Sequence, residues 1–181
     1  MCRAFFVVCS LSHRERDTHR VLIAFYALDA TIKEQGVFVK PVVFQLPKVL
    51  SDNKLVSVMM PFDKSFEEVF LAIRESCEIA ELKCQRVDGL WEDSVVMQDV
   101  FSLIYRSRVV VVDFSTRNPN VYYETGIAHT LGKPVVPIAQ SEHDVPFDLR
   151  HHRYLRYLSN GEGLKKLTEK LADRLRTLSQ E

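Results

Sequence analysis

Charge of one sign is what this 181-residue chain most conspicuously lacks, since twenty-four Lys and Arg stand against twenty-four Asp and Glu. With no global field, nothing in the net charge draws it to nucleic acid or to an anionic membrane, and a polyanion would have to be met by a local patch. Long hydrophobic runs are missing too. None approaches the roughly 20 residues that a helix needs to cross a bilayer, which points to a soluble protein. The amino-terminal stretch Phe5 to Cys9 is too short for a signal-peptide core, and the charged segment His13 to Arg20 follows it, so the chain reads as cytoplasmic. Glycine is scarce, at six residues beside seven prolines, which excludes collagen-like and low-complexity structure. Four cysteines, Cys2, Cys9, Cys77 and Cys84, form neither a Cys-x-x-Cys pair nor a Cys/His cluster at zinc spacing. Neither a metal nor a disulfide is implied, and Cys9 and Cys77 read as small buried hydrophobes. There is also no G-x-x-x-x-G-K-[ST], which weighs against phosphoryl transfer.

What is present is an ordinary globular composition, 46% apolar and 27% charged. At this length it supports one domain, or one domain with an appendage. From Lys54 onward, short apolar runs alternate with helical spacing, the pattern of an α/β fold with a mostly parallel sheet. Leu55 to Met60 reads as a strand ending at Pro61, and Phe66, Val69, Phe70, Ile73 and Cys77 recur at helical intervals after it. Asp63 or Ser65 can cap that helix, Glu68 completing a capping box with Ser65. Lys83 to Val87 is a short strand, and Ser94 opens a helix with Val96, Val100, Leu103 and Ile104 on one face. The four valines Val109 to Val112 predict a central strand buried on both faces. The next helix carries Tyr123, Ile127, Ala128 and Leu131 and stops at Gly132, Lys133 and Pro134. Val135 to Ala139 is a further strand, whose Pro137 marks a strand end or an edge. Leu164, Leu167, Leu171, Leu175 and Leu178 form the core stripe of a last helix. Residues 1–50 read as an extension in which Phe5 to Val8, Arg20 to Glu34 and Val37 to Phe44 could add a strand, a helix and a strand. Gln45 to Asn53 is the linker candidate, and 54–181 is the main domain.

In an open parallel sheet, ligands bind beyond the carboxyl ends of the strands. Three such places stand out. Met60, Pro61 and Phe62 lead into a helix start whose free N–H groups can receive a phosphate or carboxylate. Arg86, Asp88 and Trp91 place a charge pair and a ring after a short strand, where a solvated loop is the plain alternative. The densest is Asp113 to His129, with Asp113 closing a strand and Arg117, Asn118, Asn120, Tyr122 and Glu124 following. Two carboxylates, one at a strand end and one in the first turn of the next helix, can converge on a small pocket. Turn formation by Asn and Asp, and a Glu favoured near a helix start, would explain the same residues without function. Arg150, His151, His152, Arg153 and Arg156 make the densest basic cluster, which reads as a solvated surface rather than a nucleic-acid site.

The segment from Val56 to Tyr157 resembles the bacterial family of TIR-like, nucleoside 2-deoxyribosyltransferase-like domains. The resemblance is carried by Met60-Pro61-Phe62, Arg86-Val87-Asp88, the block Asp113 to His129 and Pro146-Phe147-Asp148-Leu149-Arg150. It implies a flavodoxin-like or Rossmann-like three-layer α/β sandwich. It also implies cleavage or transfer at the N-glycosidic bond of a nucleoside, nucleotide or NAD-like molecule, without metal or cofactor. Glu124 matches the nucleophile position. Asp113 or Asn120 would hold ribose hydroxyls or Glu124 itself. Met60 to Phe62 would face a 5′-phosphate or the ribose, Tyr122 or Trp91 would stack on the base, Arg86 and Asp88 would either support the site from behind or lie toward phosphate, and Arg117 would contact a phosphate from the loop. The family also implies homo-oligomers, and its alternative is a nucleotide-binding sensor that signals without cleaving. Two departures are visible: the usual Leu-Thr-Gly after the strand Asp is Phe114-Ser115-Thr116, and Thr125 replaces a Leu after Glu124.

Overall fold

The computed structural model describes residues 41–48, 51–87 and 96–180. The expected strand and helix before residue 41, Cys2 and Cys9, the helix-opening Ser94, and the site candidates Asp88 and Trp91 lie outside the described residues.

Five parallel strands form the sheet: β1 (Asp52–Met59), β2 (Lys83–Arg86), β3 (Ser107–Asp113), β4 (Val135–Ala139) and β5 (Leu155–Arg156), in the order β2-β1-β3-β4-β5. Among the described residues, four α-helices connect or flank them: α1 (Glu67–Ile79), α2 (Val96–Arg106), α3 (Pro119–Thr130) and α4 (Gly161–Gln180). The order is that of flavodoxin-like doubly wound sheets, with the reversal of strand direction of travel between β1 and β3. Helical crossovers join the first four strands, and a longer connection with two short 3-10 turns, Glu142–Asp144 and Phe147–Leu149, brings the chain back parallel into β5. Segment 41–44 is bent chain rather than the strand anticipated there, and β1 begins at Asp52, inside the expected linker.

The alternation of side chains in the pleat divides the core in two. Val56, Val58, Val109, Val111, Val136 and Ile138 meet α1 and the leucines of α4 on one face. Leu55, Met59, Val110, Val112 and Ala139 meet α2 and α3 on the other. All four valines of β3 are fully buried, as a strand covered on both faces requires. Cys77 lies within the first core, and its thiol is pushed far up by a hydrogen bond with Cys84 and by burial, consistent with a packing role. Asp63, rather than Ser65, caps the turn before α1, its Oδ1 accepting from the backbone N–H of Ser65 at 2.8 Å and its hydroxyl at 2.6 Å.

Pro137 fits inside the sheet because of where its nitrogen points. The Ile138 carbonyl accepts from Phe114 N–H toward β3, and the Ala139 carbonyl from Tyr157 N–H on the β5 side. Alternation therefore turns Pro137 toward the β5 side, and β5 pairs only with Ile138 and Ala139. Pro137 thus sits where β4 is still an edge, and no ladder bond is lost.

α3 differs from its expected packing. Its buried face is Val121, Glu124, Thr125 and Ala128, while Tyr123 is exposed. Gly132, at φ +66°, ends the helix as expected, its left-handed conformation free of a Cβ penalty.

Truncation of Leu171, fully buried between α4 and the sheet, is expected to cost about 2–5 kcal/mol in the Leu171→Ala protein, measured as a lower urea midpoint with unchanged slope.

Candidate functional site

At the carboxyl end of β3 the chain must leave a sheet buried on both faces, and Asp113 organises the exit. Its side chain is fully buried on the α1/α4 side, following Val109 and Val111 in the pleat. Oδ2 accepts from the Tyr157 hydroxyl at 2.6 Å, and Oδ1 from the Ser115 N–H at 2.9 Å. The network continues: Ser115 Oγ accepts from Gln140 N–H at 2.9 Å and lies 3.3 Å from the Tyr157 hydroxyl, which also accepts from Gln140 Nε2 at 3.1 Å. Residues following β3, β4 and β5 are thereby tied together. Burial pushes the Asp113 carboxyl above its ordinary value, against the lowering effect of these hydrogen bonds. Burial and the Asp113 charge drive the Tyr157 hydroxyl well above its ordinary value, and so it remains a donor.

The loop beyond Asp113 is strained. Thr116 and Arg117 both adopt left-handed conformations, at φ +65° and +55°. Neither is a glycine, and a β-branched residue there is disfavoured most. Asn118 then caps α3, its Oδ1 accepting from Asn120 N–H at 2.9 Å, and Pro119 begins the helix. Glu124 therefore lies in the second turn of α3, not the first as the spacing suggested.

Its environment is the opposite of that of Asp113. Glu124 is 6% exposed, on a helix face with Val121 and Ala128 that packs on the α2/α3 side of the sheet. It makes no hydrogen bond or ion pair among the described residues. Burial alone raises its pKa from 4.5 to about 7. A carboxyl largely withdrawn from solvent, without a cation to hold its charge, is poised between neutral and ionised forms near physiological pH.

The other candidates divide. Tyr122 is tied in place, its hydroxyl donating to the Asp144 carbonyl at 2.8 Å and its ring 5.6 Å from Phe114. Arg117 reaches Asp144 at 4.0 Å from an exposed position, and Asn120 is exposed. Met60 and Pro61 are buried after β1, whereas Phe62 is 59% exposed. Arg86 is engaged elsewhere, 4.1 Å over the Phe70 ring, 3.2 Å from Glu67 Oε2 and 3.9 Å from Met60 Sδ. The loops bring Arg117, Asn118, Tyr122 and Asp144 together, but the pleat sends Asp113 and Glu124 to different faces. Sequence reasoning passed over Tyr157, Ser115, Gln140 and Asp144. Only the proximity of Tyr157 and Gln140 to strand ends could have drawn attention to them.

No protein-family model matches this sequence, and no curated protein does. Among solved structures, the TIR domain of the Toll-related receptor TRR-2 from Hydra magnipapillata superposes with a TM-score of 0.53 at 17% identity, covering 68% of this chain and 96% of that one. The fold is TIR-like. A diflavin flavoprotein A3 from Nostoc sp. (TM-score 0.49, 17% identity, 74% of this chain and 96% of that one) and a 2-desoxiribosyltransferase from Leishmania mexicana (0.46, 15%, 64% and 97%) are also similar. At these identities the likeness concerns the fold alone. Among the described residues of this TIR-like chain, no helix is long and apolar enough to cross a membrane, and no group of His, Cys, Asp and Glu is arranged to hold a metal.

Two measurements test this description. Thr116→Gly should raise stability by roughly 1 kcal/mol, seen as a Tm increase of a few degrees, because glycine carries no Cβ penalty at φ +65°. Glu124 has a folded pKa above its unfolded value, so its contribution to stability is full below about pH 4.5 and is lost as pH rises through about 7. Glu124→Gln should therefore stabilise the fold by up to about 3 kcal/mol at pH 8 and by little at pH 4, in paired urea titrations.

Proposed function

We propose that this protein cleaves or transfers at the N-glycosidic bond of a nucleoside, nucleotide or NAD-like molecule, with Glu124 as the nucleophile. The observation that carries the reading is a carboxyl largely withdrawn from solvent and without a polar partner among the described residues, placed in the helix that follows the central strand. The sequence block Asp113 to His129 supports it from a separate direction. As the bond to the base breaks, its electron pair leaves with the base and the sugar carbon becomes oxocarbenium-like. The ionised Glu124 oxygen attacks that carbon to form an ester, which water or a second base then opens. An anion in an apolar setting favours the developing positive charge more strongly than it would in water.

The surrounding residues take narrower parts. Phe62 offers an exposed ring after β1 toward the sugar or base, and Tyr122 forms a fixed wall. Arg117 and Asn120 are the exposed groups nearest a phosphate or ribose hydroxyls. Asp113 acts through position: it shapes the loop from which Asn118 starts α3, instead of touching substrate. A homo-oligomer could supply further site residues. The engagement of both Asp113 oxygens removes one carboxylate from direct chemistry, and this favours, as a second reading, a sensor that binds nucleotide and does not turn it over.

Incubation with NAD, nucleosides and deoxynucleoside monophosphates, followed by chromatography of free base, separates these readings. Wild type should release base, and Glu124→Gln should lose at least about 100-fold in rate. The profile of kcat/KM should rise with pH through about 7 as Glu124 ionises. Equal activity of wild type and Glu124→Gln would remove Glu124 as nucleophile. Saturable nucleotide binding without release would support the sensor.

A further inference from the structure

The basic residues seen in the sequence near position 150 do not act as one group. Arg150 donates to the Val145 carbonyl at 3.4 Å, and Arg156 to the Gln140 carbonyl at 3.4 Å, so both are turned toward the loops at the carboxyl end of the sheet. His151, His152 and Arg153 face a different place, and two distant residues join them there. His129 arrives from the last turn of α3, and Arg174 from the carboxyl-terminal half of α4. Together they surround a cavity of about 450 Å³ floored by Val135, Val136 and Pro137 of β4, with Tyr154 in its wall.

Several features of this cavity converge. It lies at the amino-terminal end of β4, away from Met60, Asp113 and Glu124. Its five ionisable nitrogen-bearing groups come from three separate parts of the chain, and no carboxylate lines it. Among the described residues, Arg153 and Arg174 make no salt bridge. The imidazoles crowd one another, with ring centroids 4.1 Å apart for His151 and His152 and 5.4 Å apart for His129 and His152. Burial and then these two neighbours hold the His129 pKa below its ordinary value. β4 contributes no charged group to the cavity, and α4 contributes Arg174. The nearby Lys133 is committed to the Tyr105 and Ser107 carbonyls at 2.6 and 2.9 Å.

Such a set of cations repels itself and gains most from a compact ligand with several negative oxygens. We propose that this cavity is a binding site for a small polyphosphate group, free or as the phosphate chain of a nucleotide, separate from the Glu124 site. Arg153 and Arg174 supply permanent charge and forked N–H donors. His151 and His152 supply further N–H donors, and His129 gains charge as pH falls, so the ligand is bound with uptake of protons. The volume falls in the range of small-ligand pockets and is too confined for a duplex. Tyr154 provides a ring against which a base could lie if the phosphates belong to a nucleotide.

The test is calorimetric titration of the full chain with inorganic tripolyphosphate, and in parallel with ATP, at pH 6 and pH 8. Saturable binding at one site per chain is expected, about tenfold or more tighter at pH 6 than at pH 8. The double variant Arg153→Ala/Arg174→Ala alters exposed side chains and should keep its circular dichroism spectrum while losing about tenfold or more in affinity. Glu124→Gln should bind tripolyphosphate as wild type does, which keeps this result independent of any glycosidic activity. Equal affinities for the two ligands would assign recognition to the phosphate chain, and tighter ATP binding would add the base. Absence of saturable binding at pH 6, affinity unchanged between the two pH values, or undiminished binding by the folded double variant would overturn the proposal. So would binding of a single-stranded oligonucleotide when tripolyphosphate gives no signal.

Discussion

The hydrogen bond from the Tyr157 hydroxyl to Asp113, at 2.6 Å, holds the carboxyl end of this sheet together. β5 has two residues and little pairing of its own. Its position depends on Tyr157, just beyond it, reaching across β4 to the end of β3. A buried carboxyl is costly unless its oxygens are satisfied, and here both are, one by a phenol and one by a main-chain N–H. The same arrangement fixes Ser115 and Gln140, and through Ser115 the course of the strained turn at Thr116 and Arg117. The start of α3, and with it the depth at which Glu124 is buried, rests on this polar knot.

Asp113 and Glu124 show how two carboxyls eleven positions apart acquire different characters. One is surrounded by donors and serves architecture. The other faces apolar side chains with no donor among the described residues, and its charge is unsupported by the fold. That is a standing cost to stability, of the kind found where a protein retains a group for chemistry instead of packing. The pleat separates them, because the odd-numbered positions of β3 face α1 and α4 while α3 covers the other side.

The fold was legible where periodicity was strong. The valines of β3, the leucines of α4 and the apolar spacing of α1 each announced their element and burial correctly, because burial against a large core leaves a regular pattern. α3 was legible as a helix but not as to its buried face. Glu124 and Thr125 occupy core positions there, so a reading that sought apolar residues chose Tyr123, which is exposed. The loop block around Asn118 was visible through its turn formers, whereas Tyr157 and Gln140 were not, since their roles come from contacts across strands that no local spacing encodes. Pro137 was read as a sign of an edge, and the reason is geometric: β4 is interior for its last two residues and an edge before them.

That half-open edge has a consequence for assembly. A strand with free N–H and C=O groups invites another chain to add itself to the sheet, and such growth can continue without limit. Below β5 the outward-facing position of β4 carries a proline, which has no N–H to offer, and the adjoining surface is cationic. A second copy approaching this margin would meet a gap in the ladder and its own charge reflected back. Growth of the sheet by strand addition is therefore discouraged on this side.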